Sequence, residues 1–338
     1  MKQRNETYDL MKGIALVLMM LCHLVYTDGP VKHFIYSFHM PLFFILAGVF
    51  AKNIEDLSSF KNFSRKNAKR LLLPYFATML MLCAWGAIQA IVKHDASFFL
   101  RHLFSMLTAS ADGWQSQLGL IYAGPMWFLV ALFLVRELFY GIQYACARVE
   151  KYSDELVVGI SIILSMASVL IHPYLPSLPF SIMQACTAIG FYAVGWYIHN
   201  HTMPWWIYAL CVIVWPVAIL YGDVAIDSSI VNYYPLSFIG ACGGTCVIYL
   251  LCKAWAFCLD TIKSKISHRI GSLKSLIEWI GIYSLPILCM HDFLIYSDLM
   301  NSIKIRISIG GPFVWGGILA IAMASIIFRI PVLKGIYK

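Results

Sequence analysis

Apolar runs of around twenty residues recur along this chain from one end to the other, separated by short polar stretches. A run of that length crosses the ~30 Å hydrocarbon core of a bilayer as a helix. The pattern therefore predicts an all-α polytopic membrane protein with about ten transmembrane helices. They fall roughly at 9–26, 34–51, 71–92, 122–146, 156–172, 180–198, 204–221, 233–256, 277–297 and 309–329. No stretch between the runs is long enough for a separate soluble domain, so residues 1–338 are expected to form one integral membrane domain.

The first run, "YDLMKGIALVLMMLCHLVY" at 8–26, breaks the apolar pattern with Asp9, Lys12 and His23. An ionisable residue at mid-bilayer costs at least ~2.5 kcal/mol, so three in one span ask for a purpose. Lys12 and His23 are eleven residues apart, about three turns at ~3.6 residues per turn, and so point the same way. Asp9 lies one turn below Lys12, placed to pair with it. The run lacks a small-residue cleavage site, and a seam of charges does not suit a signal peptide.

Composition supports the membrane reading: 60% of residues are hydrophobic, 12% are charged, and the mean hydropathy is +0.75. A soluble domain carries about a quarter charged residues. The net charge of +8 would suggest nucleic acid in a soluble protein, but its distribution points to lipid instead. Basic residues crowd the linker 52–70, the segment 253–274 and the C-terminus, whereas 222–232 has none and 93–121 has only Lys93 and Arg101. Positive-inside bias then places both termini in the cytoplasm, with Lys304 and Arg306 as a small exception; the expected location is the cytoplasmic (inner) membrane. The linkers 52–70 and 253–276 mix basic and apolar residues and are expected to form short interfacial helices. The ten cysteines lie mostly within apolar runs, without a CxxC pair or zinc-like spacing. They read as small buried hydrophobes, with no metal site expected.

Depth links three histidines. Counting helical rise from each boundary puts His23 ~22 Å and His291 ~21 Å above the cytoplasmic edge, and His39 ~8 Å below the outer edge. All three fall at one level in the outer half. A neutral imidazole is the natural proton acceptor at physiological pH, and His23 shares its seam with Asp9 and Lys12. The cations Lys12, Arg65, Lys69 and Arg70 point to an anionic ligand entering from the cytoplasm, with lipid phosphate as the plainer reading of the loop residues. Lys12 stands ~16 Å below His23. An elongated ligand with a phosphorylated end and a reactive tip would join the two. Arg136 and Glu137, adjacent within "FLVALFLVRELFY", do not face each other on a helix, and a simple pair is not expected there. A proton-coupled carrier of an envelope precursor or small solute would use the same seam, although no inverted repeat is evident.

Several local patterns now coincide in order. These are "DLMKGIALVLMMLCH", "SFHMPLFFILAG", the basic run into "RLLLPY", "GPMWFLVALF", and "YSLPILCMHDFLI". With them the chain resembles membrane-bound acyltransferase family 3, the O-acyltransferases of envelope polysaccharides, and most of all the branch named for fucose 4-O-acetylase. The resemblance implies about ten helices and transfer of an acyl group, acetyl first among the candidates, from a coenzyme A thioester to a sugar hydroxyl. It carries the family's histidine over to His23 as catalytic base, with Asp9 the second catalytic candidate. Its basic partner maps to Lys12, where many members have Arg. Arg65, Lys69 and Arg70 offer the cytoplasmic charge, without the usual spacing of two arginines. His39, Trp127 and His291 are the candidates to orient the sugar or stabilise an oxyanion. Direct transfer and an acyl-histidine intermediate both fit these residues. The expected partners are acyl-CoA, a carbohydrate or glycolipid acceptor and the bilayer, with no nucleic acid.

Overall fold

A computed structural model describes residues 5–22, 29–53, 56–111, 122–147, 149, 153–175, 178–261, 265–297, 311–327 and 329–337. Among these the chain is helical apart from one small hairpin. In order come α1 (Glu6–Cys22), α2 (Pro30–Tyr36), α3 (His39–Val49), α4 (Leu57–Lys93), α5 (Ser97–Thr108), α6 (Trp127–Cys146) and α7 (Ser153–Ile171). There follow α8 (Ile182–Asn200), α9 (Trp205–Tyr221), β1 (Asp223–Ala225), β2 (Ile230–Asn232), α10 (Tyr234–Thr261), α11 (Lys265–Ile282), α12 (Ser284–Tyr296), α13 (Gly311–Ile327) and α14 (Pro331–Ile336). By length and composition, four helices could each cross a membrane: α4, α6, α7 and α10. The bent pair α11–α12 would make a fifth. Apolar side chains on these helices and on α9 face outward, among them Ile163, Ile213 and Leu220, as lipid-facing surfaces require.

Four expectations change. The run 34–51 is not one helix, because the chain leaves helical geometry at Phe38 (φ −146°) and restarts at His39. Pro41, third in α3, has no N–H to give the preceding turn and fits the first turn of a new helix. The break is fixed from α9, where the Trp215 indole N–H donates to Ser37 Oγ at 2.9 Å and Ser37 in turn donates to the Phe34 carbonyl at 2.7 Å. The run 277–297 breaks in the same way. α11 and α12 meet at Tyr283 with a 78° bend, and Pro286 is the third residue of α12.

The linker 52–70 is not a separate interfacial helix. It forms the first part of the 37-residue α4, started by Asp56, whose Oδ1 accepts from the Ser59 backbone N–H at 2.9 Å. A helix of that length runs ~55 Å, far beyond one hydrocarbon core, so its basic first turns project out of the apolar layer. Within the loop 93–121, α5 folds back along α4. Residues 223–232, between two of the expected spans, form the hairpin of β1 and β2, which pairs Asp223 with Asn232 and Ala225 with Ile230.

The core lies where α3, α6 and α8 pack, around Phe44, Phe139, Phe191, Tyr192 and Trp196. A second cluster joins α1 to α3 and α10 through Leu10, Met11, Phe38, Leu46 and Ile248. α1 also lies against α11 at backbone contact. A Cβ on Gly13 would come within 2.0 Å of the Ile277 carbonyl oxygen, and one on Gly281 within 1.8 Å of the Asp9 carbonyl oxygen. Only glycine permits two helix backbones to approach this closely.

Candidate active site

The α1–α11 crossing holds the first polar group. Asp9 is 3% exposed, and Lys12 Nζ donates to its Oδ1 at 2.5 Å. The carboxylate is thus charge-compensated in a place where an isolated one would be prohibitively costly. The Lys12 side chain remains 26% open, so the ammonium, with three donors in all, keeps access to a further ligand. At the rim, Lys274 of α11 donates to Glu6 of α1 at 3.0 Å. Asp9 and Cys22 stand at opposite ends of α1, ~20 Å apart along the helix. His23 lies outside the described residues.

Beside the Cys22 end, Lys32 is close enough for its charge to act on the Cys22 thiol and on Asp227 of the hairpin turn. Its Nζ sits over the Tyr36 ring, 5.4 Å from the centroid. The Tyr36 ring is 4.9 Å from that of His39. His39 is buried, and its Nδ1 faces the Ile35 carbonyl oxygen at 2.9 Å. A carbonyl can only accept, so this contact is a hydrogen bond when Nδ1 carries the proton.

Tyr122 links this group to α12. It lies within electrostatic reach of Tyr36, Asp227, Tyr296 and Asp292, and its ring is 6.0 Å from that of Tyr296. Asp292 is fully buried. Its carboxylate is seated against Gly124, where a Cβ would come within 2.2 Å of Oδ1, and is faced by the Met126 backbone N–H. Gly124 has φ +60°, a left-handed conformation that disfavours other residues. The carboxyl group therefore lies at the N-terminal end of α6. Trp127 begins α6 and is 4% exposed; its neighbour Phe128 stacks edge-on against Phe44 of α3, 5.2 Å between centroids. His291, on α12, is fully buried.

The structure thus gathers the elements bearing His39, Trp127 and His291 around Tyr36, Tyr122 and Asp292. Sequence reasoning quoted Asp292 within "MHDFL" without assigning it a place. The signal was the one that marked Asp9, a carboxylate in an apolar run. Tyr36 and Tyr122 gave no such signal, since aromatic residues are common in every span.

The cations of α4 separate. Arg65 and Lys69 are exposed. Arg70 is exposed as well, but it lies near enough to α6 for its charge and that of Arg136 to repel each other. Arg136 and Glu137 do not pair directly, as their adjacency on a helix implied. Asn67 joins them instead. It accepts from Arg136 Nη1 at 3.0 Å and donates to Glu137 Oε1 at 2.9 Å. Among the described residues, no group of three or more His, Cys, Asp or Glu side chains is placed to hold a metal ion.

Comparison with known proteins adds to this geometry. A family profile described as an acyltransferase domain matches residues 5–329. The nodulation protein NolL of Sinorhizobium fredii (strain NBRC 101917 / NGR234) is 31% identical over 184 residues, which cover 51% of this chain and 46% of NolL. The matched region thus spans about half the length of that relative. No solved structure matches the chain.

Proposed function

The chain belongs to the acyltransferase 3 family, and on that premise we propose that it is an integral membrane O-acyltransferase. It moves an acyl group, acetyl on the family's pattern, from acyl-CoA to a sugar hydroxyl of a cell-envelope or exopolysaccharide glycan. The observation that carries this reading is the arrangement along α1. The Asp9–Lys12 pair stands at one end, and the Cys22 end lies near Lys32, from which Tyr36 leads to the buried His39 and, through Tyr122, to the buried Asp292.

On this reading Lys12, with Arg65, Lys69 and Arg70, receives the phosphate-bearing end of the donor at the cytoplasmic face, both termini being cytoplasmic. Asp9 holds the Lys12 ammonium in place. The thioester reaches the far end of α1, where His23 takes the proton of the acceptor hydroxyl as its oxygen attacks the thioester carbonyl. The tetrahedral intermediate then collapses, the carbon–sulfur bond breaks, and the imidazolium returns its proton to the departing thiolate. His39, His291 and Trp127 hold the sugar or donate to the oxyanion on this reading, and loss of one such donor costs ~10²–10³ in rate.

The test is turnover of acetyl-CoA with an acceptor sugar by purified wild-type, His23→Ala and His23→Gln proteins of matched folding. General-base catalysis contributes ~10² to 10⁴. Both variants should therefore lose essentially all turnover while still binding acyl-CoA. Glutamine keeps a hydrogen bond but accepts no proton, so a rate above about a tenth of wild type in that variant would remove His23 from the chemistry. A protein that transports solute without releasing CoA would be the carrier that the same polar seam allows.

A further inference from the structure

Arg136 brings more positive charge into the bundle than its surroundings neutralise. Its hydrogen bond from Nη1 goes to a neutral amide oxygen, and Glu137 is engaged by the other end of the same Asn67 side chain. Its Nε is buried and has no hydrogen-bond partner. Among the described residues, no carboxylate lies in ion-pair contact with it. The Tyr192 hydroxyl of α8 lies beside the Arg136 guanidinium and the Tyr140 hydroxyl, yet it too is buried and completes no hydrogen bond of ordinary geometry. The Tyr140 hydroxyl already accepts from the Lys52 backbone N–H at 3.1 Å. Arg70, itself exposed, adds a second guanidinium near enough to be repelled by the first.

Buried donors without acceptors are rare and ask for an absent partner. A guanidinium whose Nε is buried and unfilled, with a second, exposed guanidinium near it, lacks an anion with several acceptor oxygens. Phosphate fits best, because the Nε edge of arginine presents a planar fork that matches it bidentately. A single carboxylate would satisfy the fork but leave fewer oxygens for Arg70 and Tyr192.

We propose that Arg136, Arg70 and Tyr192 form a phosphate-binding site between α4, α6 and α8, and that it holds a phosphate of the coenzyme A end of the donor. The second part rests on acyl-CoA being the donor. Position agrees with this. Arg136 is ten residues into α6, yet it lies opposite Asn67, four residues before the expected start of the third span at residue 71. It thus lies beside the basic part of α4. The headgroup of an anionic lipid offers the same chemistry, and the experiment separates the two.

The purified full-length protein is titrated calorimetrically with CoA and, separately, with inorganic pyrophosphate. Arg136→Gln should weaken both by at least about tenfold, the value of one hydrogen bond to a charged partner. Arg136→Lys, which keeps the charge but loses the fork, should fall in between. Tyr192→Phe removes a single oxygen and keeps the ring, so it remains informative even where Arg136→Gln fails to fold. It should also weaken both ligands, with unchanged thermal stability. Wild-type affinity for both ligands in Tyr192→Phe and Arg136→Lys would overturn the site, while CoA binding by the wild type would leave the acyl-CoA reading intact. A wild type that binds pyrophosphate through Arg136 but not CoA would keep the phosphate site and sink the donor assignment. Native mass spectrometry supplies the lipid arm. Loss of one phosphatidylglycerol from the Arg136→Gln protein, with CoA affinity unchanged, would assign the phosphate to a lipid and overturn its assignment to the donor.

Discussion

Gly281→Ala should destabilise the protein, although helix propensity alone argues the reverse. Replacing glycine by alanine inside a helix gains about 1 kcal/mol. At Gly281, however, the new Cβ would lie 1.8 Å from the Asp9 carbonyl oxygen and 2.9 Å from the Gly13 nitrogen, where ordinary contact begins at 3.4 Å. The two helices must part by about 1.6 Å, the difference between 3.4 and 1.8 Å. Overpacking of this kind costs ~1–3 kcal/mol. Here the opposing atoms are backbone and cannot rotate aside, which places the cost at the upper end. The clash wins, by about 2 kcal/mol.

Gly271 supplies the internal control, since it lies on the same helix and a Cβ there meets nothing within 4 Å. Gly271→Ala should be neutral or stabilising by up to about 1 kcal/mol. Thermal unfolding in detergent, followed by tryptophan fluorescence, compares the two; Trp279 of α11 lies two residues from Gly281. Opposite signs are expected. If both variants shift the same way, or if Gly281→Ala is the more stable, α1 and α11 do not meet at backbone contact. The argument about how Asp9 is seated would then fail with it.

Lys12→Ala should weaken donor binding in calorimetry, whereas Lys12→Arg keeps much of it; unchanged affinity in the alanine protein would leave Lys12 a structural partner of Asp9. A cysteine introduced at position 61 should resist an impermeant thiol reagent applied to intact cells, and efficient labelling would reverse the orientation on which donor delivery depends. Asp227, in the hairpin turn, has its carboxyl pushed up by burial. A folded pKa above the unfolded one means its contribution is full below the unfolded pKa and is lost as pH rises through the folded value. Asp227→Asn should therefore raise the melting temperature more at pH 7.5 than at pH 4, and an equal shift at both would show that the side chain is ordinarily solvated.

Element existence was legible wherever an apolar run was long. The runs at 156–172, 180–198 and 204–221 correspond closely to α7, α8 and α9. Hydropathy could not see the breaks at Phe38 and Tyr283, because the residues on both sides are equally apolar. The available signal was Pro41 and Pro286, each marking the first turn of a new helix. The fusion of 57–70 with the third run was missed for the opposite reason. A change from basic to apolar composition looks like a boundary, yet the backbone continues through it unbroken.

Site residues divided by cost. Asp9 and Lys12 stood out because a charge in an apolar run is expensive, and helical spacing alone gave their pairing. Asn67 could not be found that way. It is an ordinary polar residue in a basic stretch, and its part in bridging Arg136 and Glu137 depends on α4 and α6 packing side by side.

The distribution of these groups bears on how a membrane protein could use a donor that cannot cross the bilayer. Coenzyme A carries several phosphate charges, and each would be costly in hydrocarbon; the thioester end is small and nearly neutral. An enzyme acting on such a donor from one side, for an acceptor on the other, needs fixed cations at one end of the path. At the other it needs hydrogen-bonding groups that tolerate burial. The described residues separate in this sense. Arg136 is bonded to Asn67 beside Tyr192, Arg70 lies near enough to be repelled by it, and Lys12 is held by Asp9. His39, Tyr36, Tyr122 and Trp127 collect with Asp292 around the N-terminal end of α6. A carrier for a whole charged solute would instead have to offer comparable compensation along its entire path. On these grounds the charge gradient along the bundle favours transfer of a small group over transport of its carrier.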